Sequence, residues 1–181
     1  MSFDFQDMVK SAPSGGLVKR LKDGERITVR FLYPTNDETG WAGVISEWDE
    51  NKGHSVLRRI KDKNESGKRK YYTVVALDGE DEPRVFEMGS MLATQLSDFF
   101  TTYGSATDRR YVLSRTGSTM TNTAYNATPL DKEGPSSLEQ TVRAKSENTL
   151  SATLDRLLEV STSDNTTPDD PVPVQQELNW G

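Results

Sequence analysis

Apolar and polar residues alternate along much of residues 16–130, with the two-residue period of a β-strand. In residues 16–34 the alternation continues on both sides of an Asp-Gly pair and places Ile27, Val29 and Phe31 on one face. An Asp-Gly pair between two alternating runs favours a tight turn. The pattern therefore predicts a β-hairpin in residues 16–34.

The same alternation predicts more strands downstream, with one helix among them. Residues 40–49 form one alternating run, and residues 70–89 form two runs around the polar turn Asp-Gly-Glu-Asp-Glu-Pro. Residues 109–117 and 119–128 predict a last strand pair. Residues 90–104 differ, because their apolar residues recur every three or four positions, after a Ser that can cap a helix and before a Gly that can end it. The predicted core is therefore mainly β with one inserted helix.

The segments that flank residues 16–130 have another character. Residues 131–160 place leucines at helical spacing after two possible capping boxes, each a Ser followed three residues later by Glu or Gln. They predict a helical extension of one helix or two short ones. Residues 161–181 have no periodicity, three prolines, four acidic residues and no basic one, which predicts a disordered acidic tail. Residues 1–15 end in Ser-Ala-Pro-Ser-Gly and are predicted to be a flexible N-terminal arm.

Charge is distributed unevenly along the chain, whose net charge is −6. Residues 1–130 contain 18 Lys and Arg and 18 Asp and Glu, whereas residues 131–181 contain 4 and 10. Within the neutral part, residues 52–70 contain eight Lys and Arg against only Asp62 and Glu65. We predict that residues 52–70 form a basic loop, so that the chain combines a basic segment with an acidic tail.

Several classes of function find no support in the sequence. The chain has no Cys and a single His, His54, so it cannot build a disulfide framework or a zinc site of Cys and His ligands, and no cofactor is predicted. It has no Walker-type glycine loop and no Gly-x-Ser-x-Gly motif, so we predict that it is not an enzyme. No apolar run is long enough to span a bilayer, and the first ten residues do not resemble a secretory signal. These features predict a cytoplasmic protein without a membrane partner.

Basic and aromatic residues are interleaved around the basic loop and on the last predicted strand pair. Proteins bind single-stranded nucleic acid by placing cations along the phosphates and aromatic rings against unpaired bases. A basic run alone is usually a solvated loop, and strand aromatics alone are usually core, so the prediction depends on their occurrence together. The predicted nucleic-acid-binding residues are Arg30, Trp41, Trp48, Arg58, Arg59, Lys61, Lys63, Lys68, Arg69, Lys70, Tyr72, Arg110, Arg115 and Tyr125.

The last predicted strand pair combines core and binding residues on its two faces. One face is predicted to bury Tyr111 together with either Val112 or Leu113. The other face is predicted to offer Arg110, Arg115 and the hydroxyls of Thr and Ser to a phosphate backbone. The pair would then be core on one side and a nucleic-acid-binding surface on the other.

Three segments resemble, in order and character, the core of the single-stranded DNA-binding proteins of T-even-like bacteriophages. They read GLVKRLKDGERITVRFLYPTNDETGWAG from residue 16, KYYTVVALDGEDEPRVFEMGSMLATQL from residue 70 and RRYVLSRTGSTMTNTAY from residue 109. In that family a strand ends in Arg-Phe-Leu-Pro, and residues 30–34 of this chain read Arg-Phe-Leu-Tyr-Pro. The resemblance implies an OB-like five-stranded barrel with one inserted helix. It also implies a protein that binds single-stranded DNA without sequence preference and protects it during phage replication or recombination.

The resemblance gives the acidic tail a role as well. In the family such a tail contacts replication or recombination proteins and competes with DNA for its groove. The residues of this tail that are predicted to bind a partner are Asp169, Asp170, Glu177, Leu178 and Trp180. Two features of the family are not matched, namely its zinc module of His and Cys ligands and its basic N-terminal segment for cooperative binding.

Two other functions are compatible with the same sequence. One is a protein–protein adaptor, in which residues 134–160 and the acidic tail recruit partners while the β domain binds protein. The other is an RNA-binding OB module. Binding to single-stranded DNA, duplex DNA and RNA separates the three hypotheses.

Overall fold

The computed structural model describes residues 18–61, 65, 67–119 and 121–162, and of residues 160–162 it describes the backbone only. The elements of the described chain are β1 (Arg26–Phe31), β2 (Trp41–Asp49), β3 (His54–Arg59), β4 (Lys68–Leu77), β5 (Arg84–Met88), α1 (Ser90–Tyr103), β6 (Arg109–Thr116), β7 (Ala124–Lys132), α2 (Ser137–Lys145) and α3 (Thr149–Thr162). The predicted N-terminal arm lies outside the described residues. So does the predicted acidic tail, except for its first two residues, which end α3.

The strands form one antiparallel sheet, which confirms the prediction of a mainly β core. The sheet has seven strands in the order β3-β2-β4-β1-β6-β7, and β5 pairs with the other edge of β4. Strand β4 is ten residues long and joins the two halves of the sheet, because its first half pairs with β2 and its last residues pair with β1. Between β5 and β6 lies α1, the one inserted helix that the sequence predicts.

The sheet is open, so the expectation of a closed five-stranded barrel is wrong for the described residues. Strands β3 and β7 form its two ends and do not pair with each other. The outer edge of β7 is occupied by the side chain of Gln95 on α1. Its amide nitrogen donates to the Tyr125 carbonyl at 2.7 Å, and its amide oxygen accepts from the Ala127 N–H at 3.0 Å. The amide of Gln95 thus takes hydrogen-bonding groups that a closing strand would need.

The first predicted hairpin is also wrong, although its second strand is present as β1. Lys19 forms an isolated parallel bridge with Phe86 on β5 instead of pairing with β1. Its N–H donates to the Val85 carbonyl at 2.7 Å, and its carbonyl accepts from the Glu87 N–H at 2.9 Å. The chain before the turn at Gly24, whose φ is +80°, therefore pairs with β5, and the chain after the turn forms β1.

The predicted basic loop contains a strand, so the assignment of residues 52–70 to a loop is wrong. Residues 54–59 form β3, which pairs with β2 from Asp49 opposite His54 to Val44 opposite Arg59. Four of the six residues of β3 are polar or charged, and for this reason the alternation of apolar residues does not reveal it. His54, which belongs to the predicted basic loop, lies at the start of this strand.

The helices cover the two faces of the sheet. On one face, α1 packs Leu92 and Leu96 into a core cluster that also contains Val29, Phe31 and their strand neighbours. On the other face, α2 and α3 contribute to a second cluster with Val142, Leu150 and Leu154. No helix of the described chain is long and apolar enough to cross a membrane. Helices thus bury part of each face of the sheet.

The helix ends follow the sequence in part. Helix α1 has Gly89 as its N-cap and no side-chain cap bond, so the prediction that Ser90 caps it is wrong. Gly104 ends α1 with φ at +70°, as predicted. Helix α2 begins with a capping box, in which the Ser136 hydroxyl accepts from the Glu139 N–H at 3.1 Å and the Glu139 carboxylate accepts from the Ser136 N–H at 2.8 Å. The first of the two predicted capping boxes is therefore the one that forms.

Gly40 is required by a close approach of Tyr33, and we expect Gly40→Ala to destabilise the fold by about 1–3 kcal/mol through overpacking. A Cβ atom at residue 40 would lie 2.2 Å from Cγ of the buried Tyr33 ring, whose hydroxyl hydrogen-bonds to Ser146 at 2.7 Å. Urea denaturation of both proteins measures the change. The control is Gly134→Ala, because a Cβ there meets nothing within 4 Å. Equal stability of the two variants would contradict the prediction.

Candidate nucleic-acid interface

Strands β2 and β3 and the start of β4 form a surface that carries most of the predicted basic residues. Its described residues are 46–61, 65 and 67–70, and we call it the basic ribbon. It contains seven Lys and Arg and four Asp and Glu, whereas the whole chain has a net charge of −6. The structure therefore keeps the predicted positive segment together at one end of the sheet.

Strand pairing assigns the predicted residues of the basic ribbon to its two faces, because residues directly opposite each other on neighbouring strands share a face. The face that α3 packs against carries four of them: Trp48, Arg59, Lys68 and Lys70. The opposite face, which is continuous with the α1 side of the sheet, carries Arg58 and Arg69. The predicted residues thus do not form a single row but divide between the two faces of the sheet.

Some cations of the basic ribbon form ion pairs with carboxylates of the described chain and others do not. Arg58 forms ion pairs with Glu47 at 3.2 Å and with Glu65. The hydrogen bond with Glu47 has the larger effect on the pKa of the Arg58 guanidinium, and both hydrogen bonds raise it. Lys70 lies 3.6 Å from the carboxylate of Glu87. By contrast, three exposed cations form no ion pair with any described residue: Arg59, Lys61 and Lys68.

Trp48 is the most exposed large apolar side chain of the described chain, with 63% of its surface accessible. It lies on β2 opposite Ser55, two residues from Ser46, which pairs with Lys68. Diagonal neighbours on adjacent strands are about 7–8 Å apart, within reach of an aromatic ring and a lysine side chain. The basic ribbon therefore places an open aromatic surface beside an unpaired cation.

A cleft of about 850 Å³ lies between α1 and the connection from β1 to β2. Three aromatic side chains line it, namely Trp41, Tyr71 and Phe100. Trp41 is held in place by its indole N–H, which donates to the Tyr33 carbonyl at 2.8 Å, and by stacking on Phe31. Trp41 is thus mainly a core residue with one edge in this space, which we call the aromatic cleft.

Two of the predicted binding residues are buried, so their assignment to the interface is wrong. Arg30 is only 2% exposed and donates to the Glu139 carboxylate at 2.8 Å and to the Thr107 carbonyl at 2.8 Å. Tyr72 is buried, and its hydroxyl donates to the Glu87 carboxylate at 2.6 Å. Burial raises the pKa of Tyr72, and the neighbouring Glu87 charge raises it further. Arg30 therefore connects β1 to α2 inside the protein, and Tyr72 connects β4 to β5.

On β6, the expectation that Arg110 and Arg115 share an open face is wrong. Arg110 does face away from Tyr111, but its guanidinium donates to the Glu139 carboxylate at 2.7 Å. Arg115 lies on the same face as Tyr111 and donates to the Leu21 carbonyl at 3.0 Å. The strand alternation buries Leu113 with Tyr111 and leaves Val112 on the other face, which resolves the alternative that the sequence left open.

Tyr125 belongs to the same group of internal contacts. It packs against the core cluster on the α1 side, and the Arg115 guanidinium carbon lies 5.8 Å from its ring centroid. The aromatic and basic residues of β6 and β7 therefore interact mainly with each other and with the core. Strands β6 and β7 contribute little to the candidate interface.

Some predicted site residues lie outside the described chain, and their roles stay predictions. They are Lys63 and the tail residues Asp169, Asp170, Glu177, Leu178 and Trp180.

The two tyrosines at the start of β4 lie on opposite faces of the sheet, although the sequence predicted only Tyr72 as a site residue. Tyr71, not Tyr72, lines the aromatic cleft. The run from Tyr71 to Leu77 is apolar on both faces apart from Thr73, so no alternation fixes which tyrosine faces inward. The pairing of β4 with β5 decides it, because Tyr72 lies opposite Glu87 and bonds to it.

No group of three or more His, Asp or Glu side chains in the described chain is placed to hold a metal ion. Neither a protein family model, nor a curated protein, nor a solved structure matches the chain. The resemblance to phage single-stranded DNA-binding proteins therefore stays a prediction.

Proposed function

We propose that this protein binds single-stranded DNA without sequence preference through the basic ribbon. The observation that carries the proposal is Trp48, which is 63% exposed on the same face as Arg59 and Lys68. Neither of these two cations forms an ion pair with a described residue. An aromatic surface beside unpaired cations is the combination that single strands require, since cations contact the phosphates and rings stack on the bases.

The composition of this surface also favours a single strand over a duplex. A duplex presents its phosphates outward but keeps its bases stacked on each other, so Trp48 would have nothing to stack on. The contacts available on the basic ribbon are charges and ring faces, which every base and every phosphate can accept. Binding without sequence preference follows from this chemistry.

We further propose that the fold is a variant of the OB architecture in which the sheet stays open. Support comes from the order of elements, with one helix, α1, inserted among the strands as the phage resemblance implies. A role in protecting single-stranded DNA during phage replication or recombination, with partners contacted through the acidic tail, belongs to the same proposal. The placement of partner contacts in residues 161–181 follows from the resemblance and from their charge.

Titration of the full chain with oligo-dT, a duplex of the same length and an RNA of the same length tests the proposal. Tryptophan fluorescence is recorded at low salt. Quenching by oligo-dT, with a weaker response to duplex, is the expected result. A response to RNA that exceeds the response to DNA would favour an RNA-binding module. If none of the three changes the fluorescence or the electrophoretic mobility, the protein–protein adaptor hypothesis replaces the proposal.

Trp48→Ala is expected to weaken binding of oligo-dT by about 5- to 150-fold, the equivalent of one lost stacking contact of about 1–3 kcal/mol. The free energy of unfolding should not change, because the side chain is largely exposed. Trp48→Phe is the matched control, since it keeps a ring for stacking and should retain most of the affinity. Loss of stability without loss of affinity in Trp48→Ala would count against a stacking role.

A further inference from the structure

We propose that the aromatic cleft receives nucleobases of the bound strand, while the phosphates of that strand stay outside on the basic ribbon. The inference rests on the proposed function and adds a second site to it. The cleft lies on the α1 side of the sheet and Trp48 lies on the α3 side, so the two are separate surfaces.

The lining of the aromatic cleft is neutral. No Lys, Arg, His, Asp or Glu is among the described residues that line it. Its aromatic and apolar lining includes Tyr71, Met88, Phe100 and Trp41. A phosphate would find no countercharge there, whereas a flat, uncharged ring would be in contact with aromatic and apolar groups. The lining thus favours the base over the backbone of a nucleic acid.

Hydrogen-bonding side chains also line the aromatic cleft. Helix α1 presents Thr94 and Ser97, three residues apart and so on one side of the helix, and the opposite wall presents Thr35 and Asn36. The side chains of these four residues make no hydrogen bond with any described residue. Hydroxyls rotate to donate or accept, and the Asn amide does both. Such a wall can hydrogen-bond to the polar edge of any base, which an apolar peptide side chain does not possess.

The aromatic cleft has the size and position that the proposal needs. Its volume of about 850 Å³ lies within the range of about 300–1,000 Å³ that is usual for ligand pockets. Tyr71 and Arg69 are two residues apart on β4, so they share a face about 7 Å apart. Arg69 in turn shares a row across the sheet with Ile45 and Arg58. A strand whose bases enter the cleft would therefore leave it past Arg69 and Arg58, and its phosphates would compete with Glu47 and Glu65 for Arg58.

The test compares a normal strand with one that lacks bases. The probes are oligo-dT and an oligonucleotide of the same length built from abasic nucleotides, which keeps the phosphates. Thr94→Trp fills the cleft from an exposed position of α1, and Thr102→Trp is the matched control, because Thr102 is exposed on α1 but does not line the cleft. We expect Thr94→Trp to lower the affinity for oligo-dT at least about 5-fold, to leave the affinity for the abasic strand unchanged, and Thr102→Trp to change neither.

A second measurement avoids any change in the cleft. The chain has three tryptophans, so a variant with Trp48→Phe and Trp180→Phe reports on Trp41 alone. Its fluorescence should be altered by oligo-dT and not by the abasic strand. An unaltered Trp41 signal in the complex, or a Thr94→Trp protein that binds oligo-dT as tightly as the wild type, would overturn the inference while leaving the proposed function standing. If the wild type binds neither strand at low salt, the proposed function fails and the inference fails with it.

Discussion

Glu139→Ala should destabilise the protein by about 3–5 kcal/mol, because removing one partner of a buried ion pair leaves the other charge uncompensated. The guanidinium of Arg30 is 2% exposed, and its Nε lies 2.8 Å from the Glu139 carboxylate. The same carboxylate accepts from Arg110 at 2.7 Å and from the Ser136 N–H at 2.8 Å. One side chain therefore fastens α2 to β1 and β6 and also closes the capping box of α2.

Glu133→Ala is the matched control. Glu133 also approaches Arg110, at 3.5 Å, but its side chain is mostly exposed, so the loss should be below about 1 kcal/mol. Urea denaturation at neutral pH measures both variants. A loss below about 1 kcal/mol in Glu139→Ala as well would show that α2 is held by its apolar contacts alone.

The pH dependence of the same variant gives an independent check. Burial alone would raise the pKa of Glu139, but the hydrogen bonds from Arg110 and the Ser136 N–H and the charge of Arg30 outweigh it and lower the pKa from 4.5 to about 2. A carboxyl whose pKa is lower in the folded state stabilises the protein above its unfolded pKa, and this contribution is lost as the pH falls through the folded value. The stability difference between wild type and Glu139→Ala should therefore be constant above about pH 4.5 and shrink toward about pH 2.

Replacing Arg59, Lys61 and Lys68 together by alanine should lower the affinity for oligo-dT by about 100-fold at 0.1 M salt. Each phosphate neutralised on a single strand contributes about −0.7 to the slope of log K against log salt, so the slope should become less steep by about 2. Filter binding over a series of salt concentrations measures both quantities. All three cations are exposed, so the stability of the fold should not change.

The matched control replaces Lys22, Arg26 and Lys132, which are exposed on the described chain outside the basic ribbon. It changes the net charge by the same amount. If the two triple variants lose affinity equally, binding depends on the overall charge of the protein and not on the basic ribbon.

Much of the fold could be predicted because alternation reports directly on burial. Ile27, Val29 and Phe31 do share the α1 side of the sheet, and α1 ends at Gly104 as expected. Strand β3 could not be predicted, because a half-exposed strand at the edge of a sheet carries polar residues on both faces. The pairing of Lys19 with Phe86 could not be predicted either, because an isolated bridge leaves no alternation of apolar residues in the sequence.

The site could be predicted less well, for a related reason. Trp48 was identified as a candidate because it lies beside a run of cations, and that neighbourhood is visible in the sequence. The burial of Arg30 is not visible in the sequence, since its countercharge Glu139 is 109 residues away along the chain. Likewise, Tyr71 and Tyr72 are equivalent in sequence, and only the pairing of β4 with its neighbours places them on opposite faces.

Hydrogen–deuterium exchange of the full chain, with and without oligo-dT at low salt, tests most directly whether a single strand lies on the basic ribbon. The structure predicts slower exchange of backbone amides in residues 46–61 and 67–70 when oligo-dT is present, and unchanged exchange in β6 and β7. Unchanged exchange throughout the chain, or protection confined to strands outside the basic ribbon, would contradict the proposed interface.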